Sequence, residues 1–356
     1  MASNNFKVFA GNSGANVLSQ AQFEAMAQLP SGFQTGIAQS NQANKVWRQS
    51  SIIASMIAQF ICDQTGRDSI DDGTVAALEA NFIAALQAVG RIKLAASLNL
   101  YVATTGSDTN NTGQNAGSPF QTIQKAVNVA VSSYDTQLHN ITVNIANGTY
   151  PNPVVVSNPL FGGSTLSLVG NPASPTSVLI TANNAHAIHC GGGGNLSISG
   201  LSLQTTGSVS GIPSIGILSD GNSNVTITGA MNFGLCAGNH MWASSGGNIS
   251  ITSPYSITGG AQAHYFSGSA GVITIPAAGV TVTLSGSPAF SVAFAEAIQG
   301  GNISISSAQA TFSGSATGKR YLANLLGQIN TGGSGVNYFP GNVAGTADAS
   351  TFSLYS

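Results

Sequence analysis

Carboxylates that could work as a catalytic pair are scarce in this sequence. After Asp108 the only acids are Asp135, Asp220, Glu296 and Asp348. Two carboxyl groups flanking a glycosidic bond can cleave it, provided they stand about 5–9.5 Å apart. Asp220 and Glu296 are the weak candidates for such a pair. They are 76 residues apart, so whether they meet depends on what folds between them. Five histidines share the same stretch: His139, His186, His189, His240 and His264. His186 and His189 are weak metal candidates, but with Cys190, Cys236 and His240 they match no zinc spacing. A three-fold axis gathering three copies of one histidine is the other way to hold an ion. Cys190 followed by Gly191–Gly194 lacks the Gly-Lys-Ser/Thr of a phosphate loop, and Asp220-Gly221-Asn222 has turn composition. Both read as turns, and nothing calls for a cofactor.

The elements that must position these residues are announced by a recurring phrase. It reads Asn-Leu-Ser-Ile-Ser at 195–199, Asn-Val-Thr-Ile-Thr at 224–228, Asn-Ile-Ser-Ile-Thr at 248–252, Gly-Val-Thr-Val-Thr-Leu at 279–284 and Asn-Ile-Ser-Ile-Ser at 302–306. Weaker copies stand at 140–145 and 164–169. Each alternates an aliphatic with a small polar residue, the period-2 pattern of a strand with one buried face. Its return every 23 to 31 residues, with Gly, Asn and Pro between, predicts a β-solenoid whose coils stack strand on strand. The asparagines that open the copies predict a stacked column beside the turns. In such a stack Asp220 and Glu296 would be about three coils apart. At roughly 4.8 Å per rung that is about 14 Å, too far for a glycosidase pair.

Upstream of the repeats the pattern is helical. Residues 1–18 read as a flexible or extended arm, Ser19 and Gln22 as a capping box. A helix is predicted from about Gln39 to Asp63, with Ala43, Val46, Trp47, Ile53, Ile57, Phe60 and Ile61 at helical spacing. Another is predicted over 74–89, with Val75, Leu78, Phe82, Leu86 and Val89. These stripes imply helix packing or trimeric association. Residues 118–127 predict a short amphipathic helix entered through Pro119 that would cover the first open coil. The coils are predicted from about Ile141 to Gly314, and Tyr321–Leu326 as a last short helix. The resulting division is a helical region 1–95, a linker and opening cap 96–130, a parallel β-helix 131–316 and a C-terminal distal segment 317–356.

Charge narrows the function. Only 6% of the residues are charged and the net charge is −2, against roughly 25% charged in ordinary domains. No Lys or Arg lies between Lys125 and Lys319, which excludes a phosphate-tracking nucleic-acid surface there. No apolar run is long enough to insert in a membrane, the first residues lack a signal-peptide pattern, and three cysteines do not make a disulfide framework. A neutral surface of Ser, Thr, Asn, Gln and Gly suits extracellular fibres and sugar-contacting proteins. Synthesis in a bacterial cytoplasm with release by lysis reconciles that surface with the missing export signal.

Two stretches resemble known families. Phe9-Ala10, Gly14 to Leu18, Phe33-Gln34-Thr35-Gly36, Val46 to Ser51, Ala58 to Ile61 and Ile70 to Gly73 resemble the virion-attachment module of phage tail fibres and tailspikes. Tyr101-Val102, Gly106-Ser107-Asp108 and Pro119 to Ala126 resemble the start of pectin-lyase-like right-handed β-helices. Tyr338 to Thr346 looks like tail-fibre C-termini. The resemblance implies a mainly β homotrimer with a right-handed parallel β-helix, docked through its N-terminus on a phage baseplate or tail protein. It places Phe9, Trp47 and Arg48 at the virion attachment and the protein in the virion tail. Some members cleave surface polysaccharide. Lyase chemistry in the family uses an Arg base beside acidic calcium ligands, and the coils contain no Arg. The expected function is therefore to bind a host polysaccharide or lipopolysaccharide without cutting it, with a depolymerase or a purely structural adaptor as alternatives. Rings stack on sugar faces at low entropy cost, so Trp242, Tyr265, Tyr338, Phe339 and Tyr355 are the candidate contact residues.

Overall fold

A computed structural model describes residues 2–33, 35–37 and 39–356; Gln34 of the attachment phrase lies outside them. The chain divides into two compact units, Met1–Ile92 and Lys93–Ser356.

The first unit is helical. Ser19 and Gln22 form the expected capping box at the start of helix α1 (Gln20–Glu24), and α2 (Gln28–Ser31) follows. Helix α3 (Ser40–Thr65) stops where Gly66 takes a left-handed conformation, the usual helix C-terminus. It packs on α4 (Val75–Val89), with Phe60 and Phe82 edge to face at 6.3 Å. The expected N-terminal arm is extended and tied down: Ser3 N donates to Asp68 Oδ1 at 2.6 Å, and Asn5 N to Ser69 O at 3.0 Å. Few apolar side chains are enclosed: Phe23, Ala58, Ile61, Cys62 and Ala85. Val46, Trp47, Ile53, Val75, Leu86 and Val89, all on the expected packing stripes, stay exposed.

The second unit is a parallel β-solenoid of about eight turns, and the chain is mainly β. Its strands form three sheets of ten, seven and nine strands. The repeated phrase supplies strands of the ten-stranded first sheet, which begins at Leu98–Val102 and ends at Leu354–Tyr355. The expected copy at 279–284 instead pairs in the seven-stranded sheet, and Val272–Thr274 takes its rung in the first. One inward column in it reads Leu98, Ile141, Leu166, Leu196, Val225, Ile249, Ile273, Ile303, Ile329 and Tyr355, each paired with the next. Asn195, Asn224 and Asn248 stack in register as expected, with Asn302 separated from them by Val272. Their side chains bond sideways rather than to turn backbone: Asn248 Nδ2 to Asn224 Oδ1 at 3.4 Å, Asn195 Nδ2 to Thr165 Oγ1 at 2.9 Å.

The corner leading from the third sheet into the first repeats in every coil, a feature not read from the sequence. Its two residues both have positive φ: Gly192–Gly193, Gly221–Asn222, Ser245–Gly246, Ser269–Ala270, Gln299–Gly300 and Leu325–Leu326. In five of these six coils a glycine follows. A Cβ on Gly247, Gly271, Gly301 or Gly327 would lie 1.9–2.1 Å from a carbonyl oxygen of the preceding coil. The expected turns at Gly191–Gly194 and at 220–222 are two of these corners.

Three boundaries differ from the expectation. The cap helix α5 (Ile123–Ser133) begins after Pro119, because Thr122 is its N-cap and Asp108 accepts from the Gln121 and Thr122 amides. It lays Ile123, Ala126, Val127 and Ala130 against the first coils. Residues 321–324 form a strand paired with Ala295–Ile298, not a helix; Leu325 and Leu326, at φ 50 and 67, could not continue one. Rungs therefore extend on both sides of the expected 131–316, from Leu98 to Tyr355.

Candidate functional site

The third sheet turns a nearly apolar column outward. Val155, His189, Leu218, Trp242, Phe266, Glu296 and Leu322 stand in successive rungs, each paired with the next. Trp242 and Phe266 lie 4.4 Å apart, ring to ring. Glu296 is in register with Leu218 through two intervening rungs, and Asp220 follows Leu218 by two residues. The carboxylates are therefore three rungs apart, about 14 Å at the usual rung spacing, and form no hydrolytic pair. Asp220 instead meets His189 Nε2 at 3.1 Å. Burial pushes the Glu296 carboxyl up to about 7, against the opposing pull of Lys319.

The expected histidine ligands are engaged separately. His186 Nδ1 accepts from Ile215 N at 3.1 Å, and burial followed by the charge of His189 lowers its pKa. Among the described residues no three His, Cys, Asp or Glu side chains gather as they would around a metal ion.

Two of the expected contact aromatics are enclosed. Tyr265 and Phe339 are fully buried, as are His240 and His264, so none can touch a receptor. The reason is local. Tyr265 stands in register with the inward Met241 and Ala295, and His264 beside it is buried as well, so the alternation of the strand Ala261–Ser267 breaks at His264. His240 Nε2 sits 2.9 Å from Gly234 O and must donate to it, leaving Nδ1 to accept from His264 Nδ1 at 2.9 Å. His264 Nε2 then accepts from Tyr255 OH at 2.8 Å, and Tyr255 in turn bonds Tyr265 OH. One proton arrangement satisfies the chain with both imidazoles neutral. Burial holds them so, His240 at about 4 and His264 well below its ordinary value.

Trp242 stays in the third-sheet column, while Tyr338 and Tyr355 lie near the C-terminal end of the stack. A cavity of about 340 Å³ is lined by Phe312, Arg320, Asn337, Tyr338 and Asn342, with Pro340 and Gly341 on its rim. Phe312 and Tyr338 meet edge to face at 5.2 Å. The Tyr338 hydroxyl donates to Ala310 O at 2.9 Å, which fixes the ring. Tyr355 stacks on Tyr321 at 3.6 Å and donates to Gly335 O at 2.8 Å, half-buried below this surface. Of the aromatics singled out in the sequence, Tyr338 and Phe339 line this cavity, and Phe339 is fully buried behind Tyr338. Arg320 was missed, although it is the only Arg after Arg91.

In the helical unit the resemblance is carried by residues that do assemble. Phe9 lies edge to face on Trp47 at 5.6 Å, and Phe9 N donates to Ser51 Oγ at 2.9 Å. Arg48 follows Trp47 on α3, and both rings are about half exposed. No helix of the described residues is long and apolar enough to cross a membrane.

Compared with known proteins, the chain matches no family model, no curated protein and no solved structure.

Proposed function

We propose that this chain is a tail fibre or tailspike of phage type, a homotrimer of right-handed, pectin-lyase-like rods that binds a host-surface glycan without cleaving it. The N-terminal helical unit serves as the attachment to a baseplate or tail protein, through Phe9, Trp47 and Arg48. The sequence phrases of that unit and of the cap support the assignment, and its half-exposed Phe9–Trp47 pair suits a docking role.

The observation that carries the binding reading is the C-terminal cavity. A fixed aromatic wall, two amides and a guanidinium in about 340 Å³ match what a sugar residue needs, ring stacking on one side and directed hydrogen bonds on the other. The three-rung gap between Asp220 and Glu296 argues against hydrolysis. Purified protein incubated with capsule or lipopolysaccharide of a panel of bacterial hosts tests both parts. Retention of the glycan with unchanged chain length is the expected result. Shortened chains would overturn the non-cleaving reading, and failure to bind any host or block phage adsorption would leave the structural-adaptor alternative.

One observation favours a depolymerase as the second reading. Glu296, with a carboxyl raised to about 7 on the rung next to Phe266, whose ring meets Trp242 at 4.4 Å, has the protonation behaviour of a general acid. Glu296→Gln abolishing a measured cleavage would establish it.

A further inference from the structure

We infer that the C-terminal cavity selects an anionic sugar residue and that Arg320 is the group that reads its charge. The inference rests on the glycan-binding reading above and names the class of glycan.

Arg320 is out of place in this rod. Lys319 and Arg320 are the only cations after Lys125. They are neighbours in sequence with different surroundings: Lys319 Nζ lies 3.4 Å from Thr346 Oγ1 and exerts its charge on Glu296, whereas Arg320 lines the cavity. Among the described residues the Arg320 guanidinium meets no carboxylate and no side-chain hydrogen-bond acceptor. The acids of the solenoid are committed elsewhere. Asp108 caps α5, Asp135 accepts from Gln137, Asp220 meets His189 and Asp348 accepts from Ser350. A half-buried guanidinium without a counter-charge is disfavoured relative to one that is paired. The chain supplies no anion, so a ligand's anion would meet no internal competitor.

The cavity is also shaped around this side chain. A Cβ on Gly341 would lie 2.7 Å from Gly318 O and 3.1 Å from Arg320 Cγ, so glycine here lets the 340–342 segment pass close to Gly318 and the Arg320 stem. Asn342 Oδ1 accepts from Gly318 N at 2.8 Å, which orients the amide and leaves its Nδ2 protons for a ligand. The guanidinium fork binds a carboxylate or a phosphate through two parallel hydrogen bonds. The Tyr338 ring takes the apolar face of the same sugar residue. The shared chemistry is thus a pyranose bearing one negative group, as a uronic or phosphorylated sugar does.

The test uses the full-length protein on an array carrying uronate-containing, phosphorylated and neutral glycans side by side, followed by titration of the best ligand. The expected result is retention of acidic glycans. A methyl ester of the best uronate ligand should bind at least about tenfold more weakly than the free acid, the scale of a charge-assisted hydrogen bond. Arg320→Met should remove that preference with an unchanged melting temperature, and Arg320→Lys should restore part of it. Comparison of the uronate and phosphate arms identifies which anion is preferred. Equal binding of acid and ester, or a preference that survives Arg320→Met, overturns the inference while the glycan reading stands. Retention of neutral glycans alone has the same meaning, and retention of no glycan overturns both.

Discussion

In the helical unit Phe9, Phe33, Trp47, Ile53 and Met56 lie at the surface, whereas in the solenoid Phe233, Tyr265, Phe294 and Phe339 are fully enclosed. The contrast follows from how each unit finds partners for its apolar faces. A coil has a neighbour above and below, so each inward aliphatic packs against its register mates and one core runs from Leu98 to Tyr355. Two long helices and two single-turn ones offer each other one stripe apiece, which Ala58, Ile61, Cys62 and Ala85 already fill. The rest of their apolar surface is available to something else, as the proposed attachment role would require. The solenoid is self-sufficient and offers its surroundings hydroxyls, amides and small cavities, the C-terminal one among them.

Substitutions of the same kind in the two units should separate them most strongly. Phe294→Ala empties a fully buried site surrounded by Tyr265, Phe290, Phe312 and Phe339 and should cost about 3–5 kcal/mol of solenoid stability in denaturant unfolding. Trp47→Ala, at an exposed position, should cost under about 0.5 kcal/mol. Comparable losses at both positions would erase the distinction drawn here. Gly327→Ala drives a methyl into the Ala297 carbonyl of the coil before it and should cost about 3 kcal/mol, seen as a lowered melting temperature. An unchanged melting temperature would mean that the corners, unlike the core, have slack.

Acid should act on the solenoid core through His240. Its folded pKa is about 4 against an ordinary 6.5, so between those values the unfolded chain binds the proton and the folded one does not. Stability is then intact above about pH 6.5 and falls by roughly 3 kcal/mol as the pH drops to about 4. Glu296 works with the opposite sign. Its carboxyl titrates near 7 rather than 4.5, so its contribution declines as pH rises from 4.5 to 7. Glu296→Gln should flatten that decline and raise the melting temperature at pH 8. A melting curve of this variant parallel to the parent's across the range would remove Glu296 from the account. A small effect of opposite sign is expected at Leu326→Gly. It relieves a left-handed leucine (φ 67) and should stabilise by up to about 1 kcal/mol, the strain released less the added freedom of the unfolded chain.

The rungs were legible in the sequence because alternation with period two is a local property. Asn-Ile-Ser-Ile states which side chains face inward without reference to any other coil. Helices α3 and α4 were legible for the same reason, to within two residues at each end. The start of α5 was not, since Pro119 is a plausible first residue and the choice of Thr122 depends on Asp108, fourteen positions earlier. Tyr321–Leu326 has a helical composition, yet pairing with Ala295–Ile298 makes its first four residues a strand. At the candidate site Tyr338 was legible as an aromatic near the C-terminus. Arg320 was not, because nothing local distinguishes a cation lining a cavity from one in solvent.

What the sequence determined alone is the repeat: the parity of most strands, the approximate length of a coil and the near absence of charge along the rod. What only the tertiary structure decided is which aromatics are reachable and where Arg320 goes. Stacking in register on Met241 and Ala295 encloses Tyr265, and the pairing of 321–324 with 295–298 sets Arg320 beside Phe312 and Tyr338. Both depend on contacts between coils roughly thirty residues apart, and no period read along one strand contains them.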